Sequence, residues 1–255
     1  MEDNQEVLKN PRRLKGKSRT DSIGVDNRET GRRKFVKAMI PFLVRLLLKL
    51  DISGEQNIPA SGGLIIATNH MSRIDTGILL LNPVRNDMAA LVADKYKKHA
   101  FINFLVESMP HIWIDRSRAD FSAFNAAVDY LKQGGTLGIA PEGTRSKVQS
   151  LIEGKSGTAM IAMRAGVPIV PVGITGSEAF RSGWGKLQRS PIAASYGPAF
   201  HLPPMGEESR SEYMQRCTDE IMCRIALQLP EKYHGVYASH PRLKELQAQQ
   251  LEQGG

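Results

Sequence analysis

From residue 51 onward, short apolar runs alternate with longer stretches of helical periodicity. The runs Gly63–Thr68, Met88–Ala93, His111–Ile114, Thr136–Ala140, Val167–Val172 and Ile192–Tyr196 are bounded by Gly, Pro or polar residues and read as strands. Between them, Asp75–Leu81, Lys97–Val106, Ala119–Gln133, Gly157–Arg164 and Ser209–Leu229 carry helical spacing. Strands alternating with helices predict a single α/β domain whose sheet is largely parallel or mixed and flanked by helices. In such folds chemistry gathers in loops beyond the strand ends.

Residues 33–50 break this rhythm. Lys34, Lys37, Arg45 and Lys49 fall on one narrow stripe of a helix, and nearly everything else there is apolar. Pro41 is expected to kink this helix or divide it. A wide apolar face with a basic stripe suits a helix lying in a lipid interface. The same face could pack on the domain core, and the two are compatible. The longest uncharged run near the N-terminus, Ala38–Val44, is far too short for a membrane span. The chain thus divides into a mobile basic tail at 1–30, an amphipathic segment at 31–50, a folded domain at 51–240 and a C-terminal tail at 241–255. That Gln-rich tail reads as a helix extension or a frayed end.

Charge sharpens the division. The net charge is +8, and residues 1–50 hold 13 Lys or Arg against 6 Asp or Glu. The basic character therefore sits in the N-terminal fifth and points to an anionic partner, a lipid surface or a nucleic acid. The basic segment lacks the interleaved aromatics of single-strand binders, apart from Phe35 and Phe42, so nucleic acid is not expected. No secretory signal is expected, because the first thirty residues lack an apolar core segment. Cys217 and Cys223 fit neither a CxxC pair nor a disulfide framework, and read as buried thiols in a reducing compartment.

Four pieces carry candidate chemistry. The first strand runs into Asn69-His70-Met71-Ser72-Arg73-Ile74-Asp75. His70 and Asp75 would not share a face of one helix. They meet only if His70 precedes the helix and Asp75 sits in its first turn. A neutral His is the usual base for a hydroxyl, and a carboxylate on its other nitrogen fixes the tautomer. Ser72 and Asp75 also fit a capping box, so the pair alone is weak. The second piece is Pro141-Glu142-Gly143-Thr144-Arg145-Ser146, a turn whose guanidinium suits an anionic substrate. The third is Trp113-Ile114-Asp115-Arg116 at a strand end. The fourth is Val167–Gly173, whose prolines suit an edge or end strand.

Together the four resemble the glycerophospholipid acyltransferase family, the lysophosphatidic acid acyltransferases in particular. Asn69, His70, Ser72 and Asp75 match its first block, Arg116 ends the second, residues 141–146 match the third in full, and Val167–Gly173 match the fourth. Lys155-Ser156-Gly157 resembles a further basic-then-Gly pattern. The resemblance spans roughly residues 50–235 and implies a catalytic domain there. It implies His70 as base and Asp75 as its orienting carboxylate, with Arg116, Glu142, Gly143, Thr144, Arg145 and Lys155 holding the acceptor. It implies an acyl-CoA or acyl carrier protein donor, no metal or other cofactor, and a peripheral or monotopic place on the cytoplasmic face of a membrane. The product expected from lysophosphatidic acid is phosphatidic acid. Two other readings compete: a basic binding protein without chemistry, and a hydrolase on the same scaffold.

Overall fold

A computed structural model of the chain describes residues 31–179 and 190–253, apart from Arg73, Leu80, Pro83 and Arg118. The expected tail at 1–30 lies outside the described residues. In chain order the elements are α1 (Gly31–Leu47), β1 (Leu48–Ser53), β2 (Leu64–Thr68), α2 (Asp75–Leu79), β3 (Met88–Ala93), α3 (Ala100–Glu107) and β4 (His111–Ile114). There follow α4 (Phe121–Lys132), β5 (Thr136–Ile139), α5 (Gly157–Ala165), β6 (Ile169–Thr175), β7 (Ser190–Tyr196), α6 (Arg210–Leu227) and α7 (Pro241–Gln253).

The seven strands form one sheet in the order β1-β7-β6-β2-β5-β3-β4. The five strands from β6 to β4 are parallel, while β7 runs antiparallel to β6 and β1 runs parallel to β7. The sheet is therefore mixed, with a reversed pair at one edge. Successive residues of β2 serve opposite faces, as the period of two requires. Leu64 and Ile66 join a core with Ile78, Val172 and Ile192, whereas Ile65 and Ala67 join a larger one with α4, α5, α6 and α7.

Three expectations shift. The amphipathic segment runs unbroken as one helix through Pro41, but stops at Leu47, and Leu48–Leu50 open β1. Leu48 is buried and Lys49 exposed, an alternation that fits a strand once β7 offers a partner. The prolines of the fourth block do not mark a sheet edge, since β6 lies between β7 and β2. The carbonyl of Pro171 accepts from Gly197 N at 2.8 Å, so the missing N–H of Pro171 faces the same side, just past the end of β7. Finally, residues 241–253 are a docked helix, with Leu243 and Leu246 buried against α6. Arg242 ties α7 to the buried Glu220 of α6, with Nε 2.5 Å from Oε2.

Candidate active site

The site begins where β2 ends. Asn69 extends the ladder with its side chain: Nδ2 donates to Ile174 O at 2.8 Å and Oδ1 accepts from Ile174 N at 2.7 Å. This fixes the chain to β6 one residue before His70. The next turn is closed by Asp75, whose Oδ2 accepts from Met71 N at 2.8 Å and Ser72 N at 2.7 Å. The same oxygen lies 3.1 Å from His70 Nδ1. The helix-capping and pairing readings of Asp75 are thus satisfied together, by one oxygen. Asp75 is buried and His70 partly exposed. A carboxylate only accepts, so Nδ1 carries the proton and Nε2 presents its lone pair.

The block 141–146 wraps around this turn. Its backbone pivots at Gly143, in the left-handed region at φ 67°. Glu142 points inward: its Oε1 accepts from His70 N at 2.8 Å and its Oε2 from Ile152 N at 3.2 Å. Ser146 N donates to His70 O at 2.8 Å. The backbone of His70 is therefore gripped on both sides by one loop. Burial pushes the Glu142 carboxyl up to about 7, helped by the negative charge of Asp75 and opposed by the two backbone donors.

Glu142, expected to help hold the acceptor, lies behind the cavity wall in this structure. Its side chain is 1 % exposed and both oxygens accept from backbone amides. Thr144 and Arg145 are exposed and lie outside the cavity wall. The remaining expected residues do come together. His70, Asp75, Arg116, Gly143 and Lys155 line one cavity of about 930 Å³. Arg116 Nη1 donates to Gly143 O at 2.9 Å, and a side chain on Gly143 would meet the Lys155 stem 3.1 Å away. Lys155 N donates to Pro141 O at 2.8 Å, which seats that lysine beside the turn.

Away from His70 the cavity is apolar, walled by Met88, Leu91, Ile114, Phe124, Ile139 and Ile161. Met88 opens β3 and Leu91 lies in its second half, Ile114 and Ile139 end β4 and β5, and Phe124 and Ile161 come from α4 and α5. Asp120 caps α4 through Oδ1, which accepts from Ala123 N at 3.0 Å, and its Oδ2 accepts from Asp115 N at 3.0 Å, joining the helix start to the Arg116 loop. Arg164 and Arg210 also reach the cavity, and the sequence reading missed them. Nothing in their local pattern marks them, because α5 and α6 meet the cavity only in the folded chain.

The arrangement can take a proton from a hydroxyl at His70 Nε2, hold an anion beside it with Arg116 and Lys155, and shelter a long apolar group. Comparisons with known proteins agree in kind. A family model described as Acyltransferase matches residues 49–175. The 1-acyl-sn-glycerol-3-phosphate acyltransferase of Pseudomonas aeruginosa is 25 % identical over 186 residues, 70 % of this chain and 71 % of that one. The enzyme of the same name from Borreliella burgdorferi is 26 % identical over 135 residues, and the match covers 52 % of this chain and only 54 % of that relative. Among solved structures, the 1-acyl-sn-glycerophosphate (LPA) acyltransferase PlsC from Thermotoga maritima shares the fold, with a TM-score of 0.56 and 23 % identity over 76 % of this chain and 79 % of that one. With residues of three of the four matched blocks meeting around one cavity, the chain belongs to the acyltransferase family.

Proposed function

We propose that this acyltransferase moves an acyl chain from an acyl thioester to the hydroxyl of a lysophospholipid, with lysophosphatidic acid as acceptor and phosphatidic acid as product. The observation that carries the reading is the His70–Asp75 pair at one end of an apolar cavity, with Arg116 and Lys155 beside it. His70 Nε2 takes the acceptor's proton as its oxygen attacks the thioester carbonyl. Asp75 holds the imidazole and stabilises the imidazolium. The tetrahedral intermediate then expels the thiolate, which takes the proton back from His70. Direct attack fits the positions of Cys217 and Cys223, both buried in α6 and away from the cavity wall.

In this reading Arg116 and Lys155 bind the acceptor phosphate, and the apolar cavity takes the acyl chain. Arg164 and Arg210 lie where a donor's anionic carrier would approach. Acyl-CoA and acyl carrier protein both present phosphate, so the donor is decided by assay. No other cofactor or metal has a role in the steps above.

We place the enzyme on the cytoplasmic face of a membrane, held by α1. Phe35, Phe42 and Leu46 lie along one side of that helix and are exposed to 63 %, 66 % and 50 %, while Val44 packs against the core that holds Leu48 and Ile192. No helix among the described residues is long and apolar enough to cross a bilayer. The deciding experiment is acyl transfer with a panel of lysolipids and both thioester carriers. Thioester cleavage that proceeds without any acceptor would overturn the proposal in favour of a hydrolase.

A further inference from the structure

A second apolar element stands out at the opposite edge of the sheet. The helix α3, Ala-Phe-Ile-Asn-Phe-Leu-Val-Glu, is apolar nearly all round, yet none of its residues is buried. Phe101 is 72 % exposed and Phe104 42 %. A helix of this composition belongs in a protein core or in lipid, and here the core does not receive it. The turn of 3₁₀ helix that leads into it, Asp94–Lys98, carries Lys95, Lys97 and Lys98, all exposed. Lys97 is committed to Asp94 at 2.9 Å and lies over the Trp113 ring; Lys95 lies over the neighbouring Tyr96 ring, 5.4 Å from its centroid, and with Lys98 remains exposed.

Strand direction places this element. The lysine turn follows directly from the carboxyl end of β3, on the margin of the sheet that bears His70. Because β1 is antiparallel to the five central strands, the amino end of β1, where α1 joins it, lies on that same margin. Leu48 pairs with Ser190, beyond the last β6–β7 pair, Thr175 with Ala193. The two apolar elements therefore flank the site from the two edges of the sheet. The strands they adjoin, β1 and β3, are five strand spacings apart, about 24 Å.

We propose that α3 and its lysine turn form a second contact with an anionic phospholipid surface, so that the domain stands on two feet with the cavity between them. Apolar side chains behind a basic turn are the chemistry of an interface-seeking helix. Each lysine near an anionic surface favours binding by about fivefold. An acidic carrier protein would use the lysines but has no need of Phe101. The proposal rests on the reading of the enzyme as one that acts on membrane lipid, and it adds the orientation in which it does so.

The test uses the full chain with vesicles of phosphatidylcholine alone or with about one third phosphatidylglycerol. The variant Phe101→Trp is followed by fluorescence against the background of Trp113 and Trp184, with bromine-labelled acyl chains as quencher. The new emission is expected to be quenched on anionic vesicles. A vesicle-bound protein whose added emission is not quenched overturns the proposal while leaving α1 as anchor. Lys95→Gln with Lys98→Gln is expected to lower partitioning onto anionic vesicles about 10- to 30-fold, with activity on detergent-dispersed acceptor kept as evidence of folding. If that pair instead raises the KM for an acyl carrier protein donor and leaves vesicle binding unchanged, the occupant is a protein and the proposal fails. Protein that transfers acyl groups in detergent but binds no vesicle overturns the two-footed placement and leaves the proposed reaction standing.

Discussion

The backbone N–H of His70 donates to Glu142 Oε1 at 2.8 Å, joining residues that lie 72 apart in the chain. A buried carboxylate spent on a backbone amide is costly unless it fixes something that matters. Here it fixes the residue that bears the proposed base. The other oxygen of Glu142 ties in Ile152, so the two loops that border the cavity are set by one side chain.

Glu142→Gln tests this positioning role. One of the two backbone amides would face an amide N–H instead of an oxygen, and an unsatisfied buried donor costs about 1–3 kcal/mol. Turnover is expected to fall by tenfold or more while the KM for acceptor stays nearly constant. A phosphate-binding residue would move KM instead.

The same carboxyl has a pH signature. An unfolded Glu titrates at 4.5 and the folded Glu142 at about 7. Between these values the native state keeps a proton that the unfolded chain releases, so Glu142 makes stability fall as pH rises from 4.5 to 7. Denaturant unfolding across that window should show a flatter profile for Glu142→Gln than for wild type. Parallel profiles would remove Glu142 as the source.

His70→Ala should cost on the order of 10² to 10⁴ in turnover with the fold intact. Asp75→Asn should also lower turnover, because an amide at this position can present a donor to Nδ1 and favour the wrong tautomer. It should cost stability as well, since Asp75 Oδ2 also accepts from Met71 and Ser72. Near-normal turnover in His70→Ala, measured beside thermal unfolding, would end the general-base mechanism.

Arg116 and Arg145 separate two ideas of where phosphate sits. Both are exposed, but Arg116 lines the cavity with its guanidinium held by Gly143 O, whereas Arg145 lies off the wall. Arg116→Ala should raise the KM for a phosphorylated acceptor by roughly tenfold to a hundredfold, the worth of a charged hydrogen bond at about 1.5–3 kcal/mol. Arg145→Ala should change it little. The reverse order in acceptor kinetics would move the phosphate to the outer face of the turn.

On α1, Phe35→Asp with Phe42→Asp should reduce vesicle binding by far more than tenfold, since burying each ring is worth about 1.5–3 kcal/mol. Cosedimentation reads the loss, and unchanged unfolding in denaturant confirms that Val44 still docks the helix. Unaltered binding would take the membrane away from this face.

Much of this was legible in the sequence. The run Met88–Ala93 forms the strand its apolar pattern predicts, and His70 precedes a helix with Asp75 in its first turn, the geometry that five-residue spacing demanded. What local pattern could not carry was which way a side chain turns. Glu142 and Arg145 sit three apart in one turn, and only the arrival of His70 and Ile152 from elsewhere turns the first inward. The start of β1 was hidden for a similar reason. Leu46 to Lys49 suits the face of a helix and the alternation of a strand alike, and the choice is made by β7, some 140 residues on.

That late partner has a consequence for how the molecule is made. Among the described residues the only strand neighbour of β1 is β7, and Leu48 pairs with Ser190. A ribosome adding about 5–20 residues per second needs roughly 7 to 28 seconds between the two. Through that interval α1 has emerged while the strand it leads into has no sheet to join. On the proposed membrane placement, a lipid surface is the resting place open to it in that interval, and adsorption would precede closure of the domain. Stalled nascent chains ending before residue 190 should already float with added vesicles, and chains that float only once β7 is complete would reverse that order.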